Sequence, residues 1–137
     1  MSEIDAAVLD VKLKYLDEDN KKRQKLATYY YENIKNPLIT LPSRIEDENN
    51  VYHQFPIFCE RRSELQQFLY ENGVQTLIHY PIPPHHQECY VEAKWNNTGG
   101  GLPITEKIHQ QELSIPMNQI VTENEAEIIV NVLNSFK

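Results

Sequence analysis

The side chains best suited to chemistry crowd into one stretch, Gly73 to Tyr90. A strand-like apolar run delivers His79 and Tyr80 into Pro81, Pro83 and Pro84, and His85, His86, Gln87, Cys89 and Tyr90 follow at once. Proline fixes φ and removes a backbone donor, so this segment is expected to be a stiff extended loop rather than more strand or helix. Imidazole and phenol groups held on such a loop can hydrogen-bond the hydroxyls of a sugar or the oxygens of a phosphate. The plainer alternative is a loop whose polar groups serve only its own shape. Two further chemistries are spelled less clearly. His79, His85, His86 and Cys89 offer nitrogen and sulfur ligands, but their spacing fits no common zinc pattern and adjacent histidines diverge on an extended chain, so no metal is expected. Cys89 and His85 lie four apart and would face each other only on a helix, and a nucleophilic thiol needs a lowered pKa that a sequence does not display.

Other polar groups read as ordinary. His109 falls on a polar helical face as a solvated histidine, while Trp95 and the tyrosines at positions 29 to 31 read as packing groups with polar tips. Asn96-Asn97-Thr98 fits the glycosylation pattern, which a cytosolic protein does not use, and Gly99-Gly100-Gly101 lacks the lysine and hydroxyl residue of a phosphate loop.

The elements that must position the loop follow from patterning. Residues 2 to 35 contain neither Gly nor Pro, and Ile4, Val8, Val11, Tyr15, Leu26 and Tyr30 recur at helical intervals, which predicts one long helix. Unbroken, it would run about 50 Å, more than a compact domain of this size buries. Its two ends are therefore expected to contact different things. The apolar start, Ile4 to Val11, looks cut into rather than begun; a dimer-forming helix is the alternative. Asn36-Pro37 ends the helix. Leu38 to Leu41, Val51 to Cys59 and Val74 to Tyr80 read as strands, with Pro56 arguing against a central place for the second. Ser63-Glu-Leu-Gln66 and Thr122-Glu-Asn-Glu125 have the form of capping boxes, the latter with Val121 and Ala126 as a hydrophobic staple. Thr105 suits a helix N-cap, Asn72-Gly73 suits a C-cap, and Ser114-Ile-Pro116 reads as a brief extended piece. The pattern predicts an α+β fold: a long N-terminal helix over 1–35, then a small mixed or antiparallel sheet of about three strands covered by helices over 36–137.

Bulk properties narrow the function classes. At 137 residues the chain is one domain's worth, and a formal net charge of −7 argues against a general nucleic-acid surface. Cys59 and Cys89 lack paired spacing and read as reduced thiols in a cytoplasmic protein. No run approaches the roughly 20 apolar residues that span a bilayer, and the start lacks the basic-then-apolar order of a signal peptide. Neither nucleic acid nor a membrane is an expected partner.

The loop also carries a resemblance. Thr76, His79-Tyr80-Pro81, Pro84-His85 and Gln87 to Tyr90 resemble the small-domain motif of the PLP-dependent sugar aminotransferases of the DegT/DnrJ/StrS type. Other pieces agree in order: Asp5-Ala-Ala-Val-Leu, Leu13-Lys-Tyr-Leu-Asp, Asn20-Lys-Lys-Arg23, Tyr52-His53-Gln-Phe55, and Leu113-Ser-Ile-Pro116 followed by Thr122-Glu. The wording from Gln75 to His85 is most similar to enzymes that aminate C3 of a keto-deoxy sugar carried on dTDP. The resemblance implies the small C-terminal domain of an aspartate-aminotransferase-like fold, with 1–35 bridging to a large N-terminal domain that is missing here. It implies His79, Tyr80 and His85 as substrate-binding residues, with His53, Gln87 and Tyr90 either touching ligand or only shaping the loop. The complete enzyme would use PLP, take its amino group from glutamate and form a homo-oligomer. In the family the Schiff-base lysine and most cofactor contacts belong to the large domain, and neither Lys94 nor Lys107 has the surroundings of a stand-in. The chain alone is therefore expected to hold no cofactor, supply no catalytic residue and not transaminate. The alternative class is a stand-alone binding or dimerisation module that uses its first helix as the interface.

Overall fold

The computed structural model describes residues 2–44, 49–90 and 101–137. Its helices are α1 (Glu3–Leu13), α2 (Leu16–Asn33), α3 (Arg62–Glu71), α4 (Pro103–Gln111) and α5 (Glu123–Ser135), and its strands are β1 (Phe55–Phe58) and β2 (Glu112–Ile115). The α+β reading holds, with two corrections. The single long helix is two helices, divided by a turn at Lys14 and Tyr15 that leaves Tyr15 at φ −106° and ψ −2° before α2. Ser2 caps α1, where it and Asp5 make a reciprocal capping box. Even so, α1 buries no residue.

The second correction concerns the sheet, which has two antiparallel strands rather than three, with Phe55 opposite Ile115 and Ile57 opposite Leu113. The stretches expected as flanking strands contribute single bridges, Thr40 to Phe58 and Leu77 to Ser114. On the first side the cause is local. The Asn36 amide donates to the carbonyls of Leu133 and Phe136 at 2.8 Å each and its oxygen accepts from the Leu38 N–H at 2.9 Å, so the chain turns just before Thr40, and Pro42 follows. On the second side the chain leaves α3 through Gly73 at φ +79°, the left-handed C-cap read from the sequence, and reaches Pro81 within a few residues of its one bridge. Pro56 stands opposite Ser114, whose N–H and C=O both turn away from β1 to Leu77. Pro56 thus faces away from β2 on its own side and removes no bond from the ladder.

Packing centres on Phe55, Ile57, Leu65, Leu69, Leu113 and Leu133, all essentially inaccessible. Helix α2 packs on α5, α3 on β2 and α4 on β1. The second half of α2 supplies Leu26, Ala27 and Tyr30. The Tyr30 phenol donates to the Pro116 carbonyl at 2.8 Å and its ring meets Phe55 edge-on at 5.2 Å. Burial pushes this phenol far above its ordinary range.

Helix starts sort by cause. The Thr122–Glu125 box forms as read, with Ala126 buried and Val121 packed against the core. The Thr122 N–H and hydroxyl both donate to the Glu125 carboxylate and hold its pKa below the usual carboxylate range. The Ser63–Gln66 box does not form: α3 starts two residues earlier than that box requires, after Arg61, without a side-chain cap. Thr105 is not an N-cap either, because Pro103 occupies the first turn of α4 and Leu102 precedes it. Glu106 instead accepts the Leu102 N–H at 3.1 Å.

Candidate functional site

A cleft of about 840 Å³ opens between the start of α3, the segment through Leu77 and the end of β2. Its lining is polar and uncharged in type: His53, Gln54, Ser63, Gln66, Gln67, Tyr70, Thr76, His79 and Ser114 stand beside Leu77, Ile115, Pro116 and Met117. Such a wall can hydrogen-bond a polyhydroxylated ligand while its apolar residues cover a ring face.

The geometry around His79 is the most ordered part of this wall. Leu77 exchanges both backbone hydrogen bonds with Ser114, at 2.7 and 3.1 Å, which brings the following residues over β2. The His79 N–H then donates to one oxygen of Glu112 at 2.8 Å. The Ser114 hydroxyl donates to the other oxygen at 2.7 Å, and His79 Nδ1 lies 2.9 Å from the same hydroxyl. Glu112 and Ser114 are two apart on a strand and so share a face, which is why both reach one partner. Each is at most 6% exposed, so β2 buries a carboxylate and a hydroxyl that satisfy each other. A cis peptide joins His79 to Tyr80. The Tyr80 carbonyl accepts from Nδ1 of His109 at 2.6 Å. The histidine expected to be merely solvated therefore ties α4 to the loop.

Tyr80 itself is exposed and sets its ring edge-on to His79, with centroids 5.5 Å apart. His85 lies elsewhere. The segment expected as an extended loop folds into two short 3-10 turns, Pro84–His86 and Glu88–Tyr90, and the first carries His85 inward to 5% exposure. There its Nε2 meets Glu106 at 3.1 Å. Glu106 is held below the usual carboxylate range, first by the Leu102 N–H and then by His85. His86 approaches the same oxygen at 3.9 Å, and these three residues, not His79 or Cys89, form the compact group of potential metal ligands among the described residues. His53 shares the cleft with His79. Gln87, Cys89 and Tyr90 are exposed, and Cys89 is paired neither with His85 nor with Cys59, which is buried. Lys94, Trp95, Asn96-Asn97-Thr98, Gly99 and Gly100 lie outside the described residues.

The sequence reading missed Glu112, Ser114 and His109. One signal was available: Glu112 and Ser114 stand two apart beside the extended Ser114–Pro116 piece, so on a strand they share a face with each other. Among the described residues lining the cleft there is no lysine. A PLP Schiff base requires an amine, which none of these described lining residues supplies.

Comparison with known proteins places this geometry in a family context. A family model described as the DegT/DnrJ/EryC1/StrS aminotransferase family matches residues 1–134. The chain is 42% identical over 136 residues to a dTDP-3-amino-3,6-dideoxy-alpha-D-galactopyranose transaminase of Aneurinibacillus thermoaerophilus, covering 99% of this chain and 36% of that protein. Among solved structures it is similar to DesV of S. venezuelae in complex with a ketimine intermediate, with 34% identity and a TM-score of 0.85 over 94% of this chain and 34% of that one. It is also similar to NtdA of Bacillus subtilis with bound cofactor PMP, with 35% identity and a TM-score of 0.76 over 88% of this chain and 28% of that one. The chain thus spans about a third of the length of these relatives.

Proposed function

The chain belongs to the DegT/DnrJ/EryC1/StrS aminotransferase family, and from that premise we propose that it is the small C-terminal part of a PLP-dependent aminotransferase acting on a dTDP-linked keto-deoxy sugar. The observation that carries this reading is the His79 cleft, a wall of imidazole, amide and hydroxyl groups without a lysine. Such a wall recognises a sugar through hydrogen bonds and leaves the cofactor to a second wall. That division matches the third of its relatives' length that the chain spans. The family is PLP-dependent, and a member holds PMP. PLP, when bound, supplies the electron sink for moving an amino group, with glutamate as donor and a keto sugar as acceptor.

The residues of this chain act by placement. His79 hydrogen-bonds the sugar nucleotide, His53 and the cleft glutamines offer further polar contacts, and Tyr80 closes the edge beside His79. His85 supports the loop from beneath through Glu106. Groups that fix a substrate against a cofactor lower the barrier through orientation, which is the part of catalysis this chain supplies. Helix α1, exposed along its length, lies against the large domain in the complete cytoplasmic enzyme, which is a homo-oligomer. A stand-alone binding module is the weaker reading, because the family match runs through α1 and the whole described fold.

A domain exchange tests the proposal. Replacing the matching third of the Aneurinibacillus enzyme by this chain should give a soluble protein that transaminates that enzyme's dTDP-amino sugar. His79→Ala in the chimera should raise KM by about tenfold or more, the worth of a hydrogen bond to substrate plus its lost packing. A folded chimera without activity, or an active one indifferent to His79→Ala, would count against it. The isolated chain should show no transamination at all.

A further inference from the structure

Resting on the reading of His79 as the sugar-contacting residue, we propose that Glu112, Ser114 and His109 are positioning residues that fix the His79 ring as its Nδ1–H tautomer. Nε2 then serves as a hydrogen-bond acceptor, and the position takes a hydroxyl or amino group of the sugar rather than a carbonyl or phosphate oxygen. The argument is one of counting hydrogens. A carboxylate oxygen can only accept, so the 2.7 Å contact between Ser114 Oγ and Glu112 requires the serine hydrogen to point at Glu112. The hydroxyl has no second hydrogen for the imidazole. At 2.9 Å, therefore, Nδ1 must be the donor and Ser114 Oγ the acceptor. In a neutral ring the lone pair then sits on Nε2, and His79 lines the cleft. With Glu112 as the carboxylate, the reverse arrangement would set two acceptors 2.7 Å apart within a buried pair.

The same short stretch of chain also fixes where the ring stands. The second Glu112 oxygen accepts the His79 N–H, and His109, three residues before Glu112, donates to the Tyr80 carbonyl, since a carbonyl has no hydrogen to give. The backbone on both sides of the His79–Tyr80 peptide is thereby pinned to the α4–β2 junction. An imidazole on the cleft wall with one nitrogen committed to a buried partner has only the other to offer a ligand, and so distinguishes ligands by donor character. A donor finds a lone pair, whereas an acceptor finds another acceptor.

The test is the tautomer itself, read on this chain by two-bond 1H–15N correlation of histidine-labelled protein at a pH above the imidazole titration. The expected spectrum shows His79 protonated on Nδ1 and bare on Nε2. Ser114→Ala should move His79 to the Nε2–H form that free histidine favours in water, and Ser114→Thr, which restores a hydroxyl, should keep the Nδ1–H form. Wild-type His79 found as Nε2–H would overturn the proposal without any variant having to fold. So would an Nδ1–H signal that survives Ser114→Ala in a protein whose amide spectrum remains dispersed. Because the readout uses no sugar, its failure is separable from the chimera result: an indifferent His79→Ala chimera sinks the sugar contact and leaves the tautomer standing, and an Nε2–H ring does the opposite.

Discussion

Helices α1 and α5 open with the same device and meet opposite fates. Ser2 with Asp5, and Thr122 with Glu125, both close a capping box with the side chain and backbone bonds in place. Yet α5 buries Ala126, Ile129, Val130 and Leu133, while α1 buries nothing and leaves Ile4, Val8, Leu9, Val11 and Leu13 all more than half exposed. A cap decides where a helix begins, because it satisfies backbone N–H groups that water would otherwise serve. It does not decide whether the helix contributes to the fold, because that stability comes from apolar area removed from water. One helix belongs to the core and the other does not.

That contrast can be broken most directly at the packed end. Leu133→Ala should cost about 2–5 kcal/mol in urea unfolding, the loss of a fully buried leucine and the cavity left behind, whereas Leu9→Ala should leave the midpoint within about 0.5 kcal/mol. A comparable loss from both would mean that α1 is part of the cooperative unit. Next in size, Thr122→Ala should cost about 1 kcal/mol, while Ser2→Ala should lower helical ellipticity slightly without moving the unfolding midpoint. The smallest effect is the acid dependence of the α5 cap. Thr122 holds the Glu125 carboxyl below its ordinary pKa in the folded state, so the cap's contribution is complete above the usual carboxylate range and fades as pH falls through the lowered value. The stability gap between the wild type and Thr122→Ala should therefore narrow in acid. A gap that stays constant there would show that the carboxylate plays no part in the cap.

What the sequence disclosed, and what it hid, follows the range of the forces involved. The Thr122 box and the Gly73 C-cap are settled within four residues, and both were readable. The Ser63 box had the same pattern but lost to a helix that starts two residues earlier, and Thr105 lost to Pro103, whose fixed φ suits a first turn. The break at Lys14–Tyr15 has no Gly or Pro to announce it. At the site, His79 and Tyr80 stood out by type, but their supports lie 29 to 35 positions away and meet them through one bridge, Leu77 to Ser114. The inward turn of His85 was masked by prolines that read as extension and instead open a 3-10 turn.

Pro56 adds a consequence of its own. A two-stranded ribbon has two outer borders, the kind of edge onto which a further extended segment can zip, and here Leu77 meets Ser114 on one of them and Thr40 meets Phe58 on the other. Where β1 turns from β2, only Phe58 exchanges bonds outward, with Thr40, and two residues earlier the border carries a ring in place of an N–H. An incoming strand would find its first bond taken and its next donor missing. Pro56, which argued from the sequence against a central place for its strand, thus leaves a missing donor on the outer border of β1.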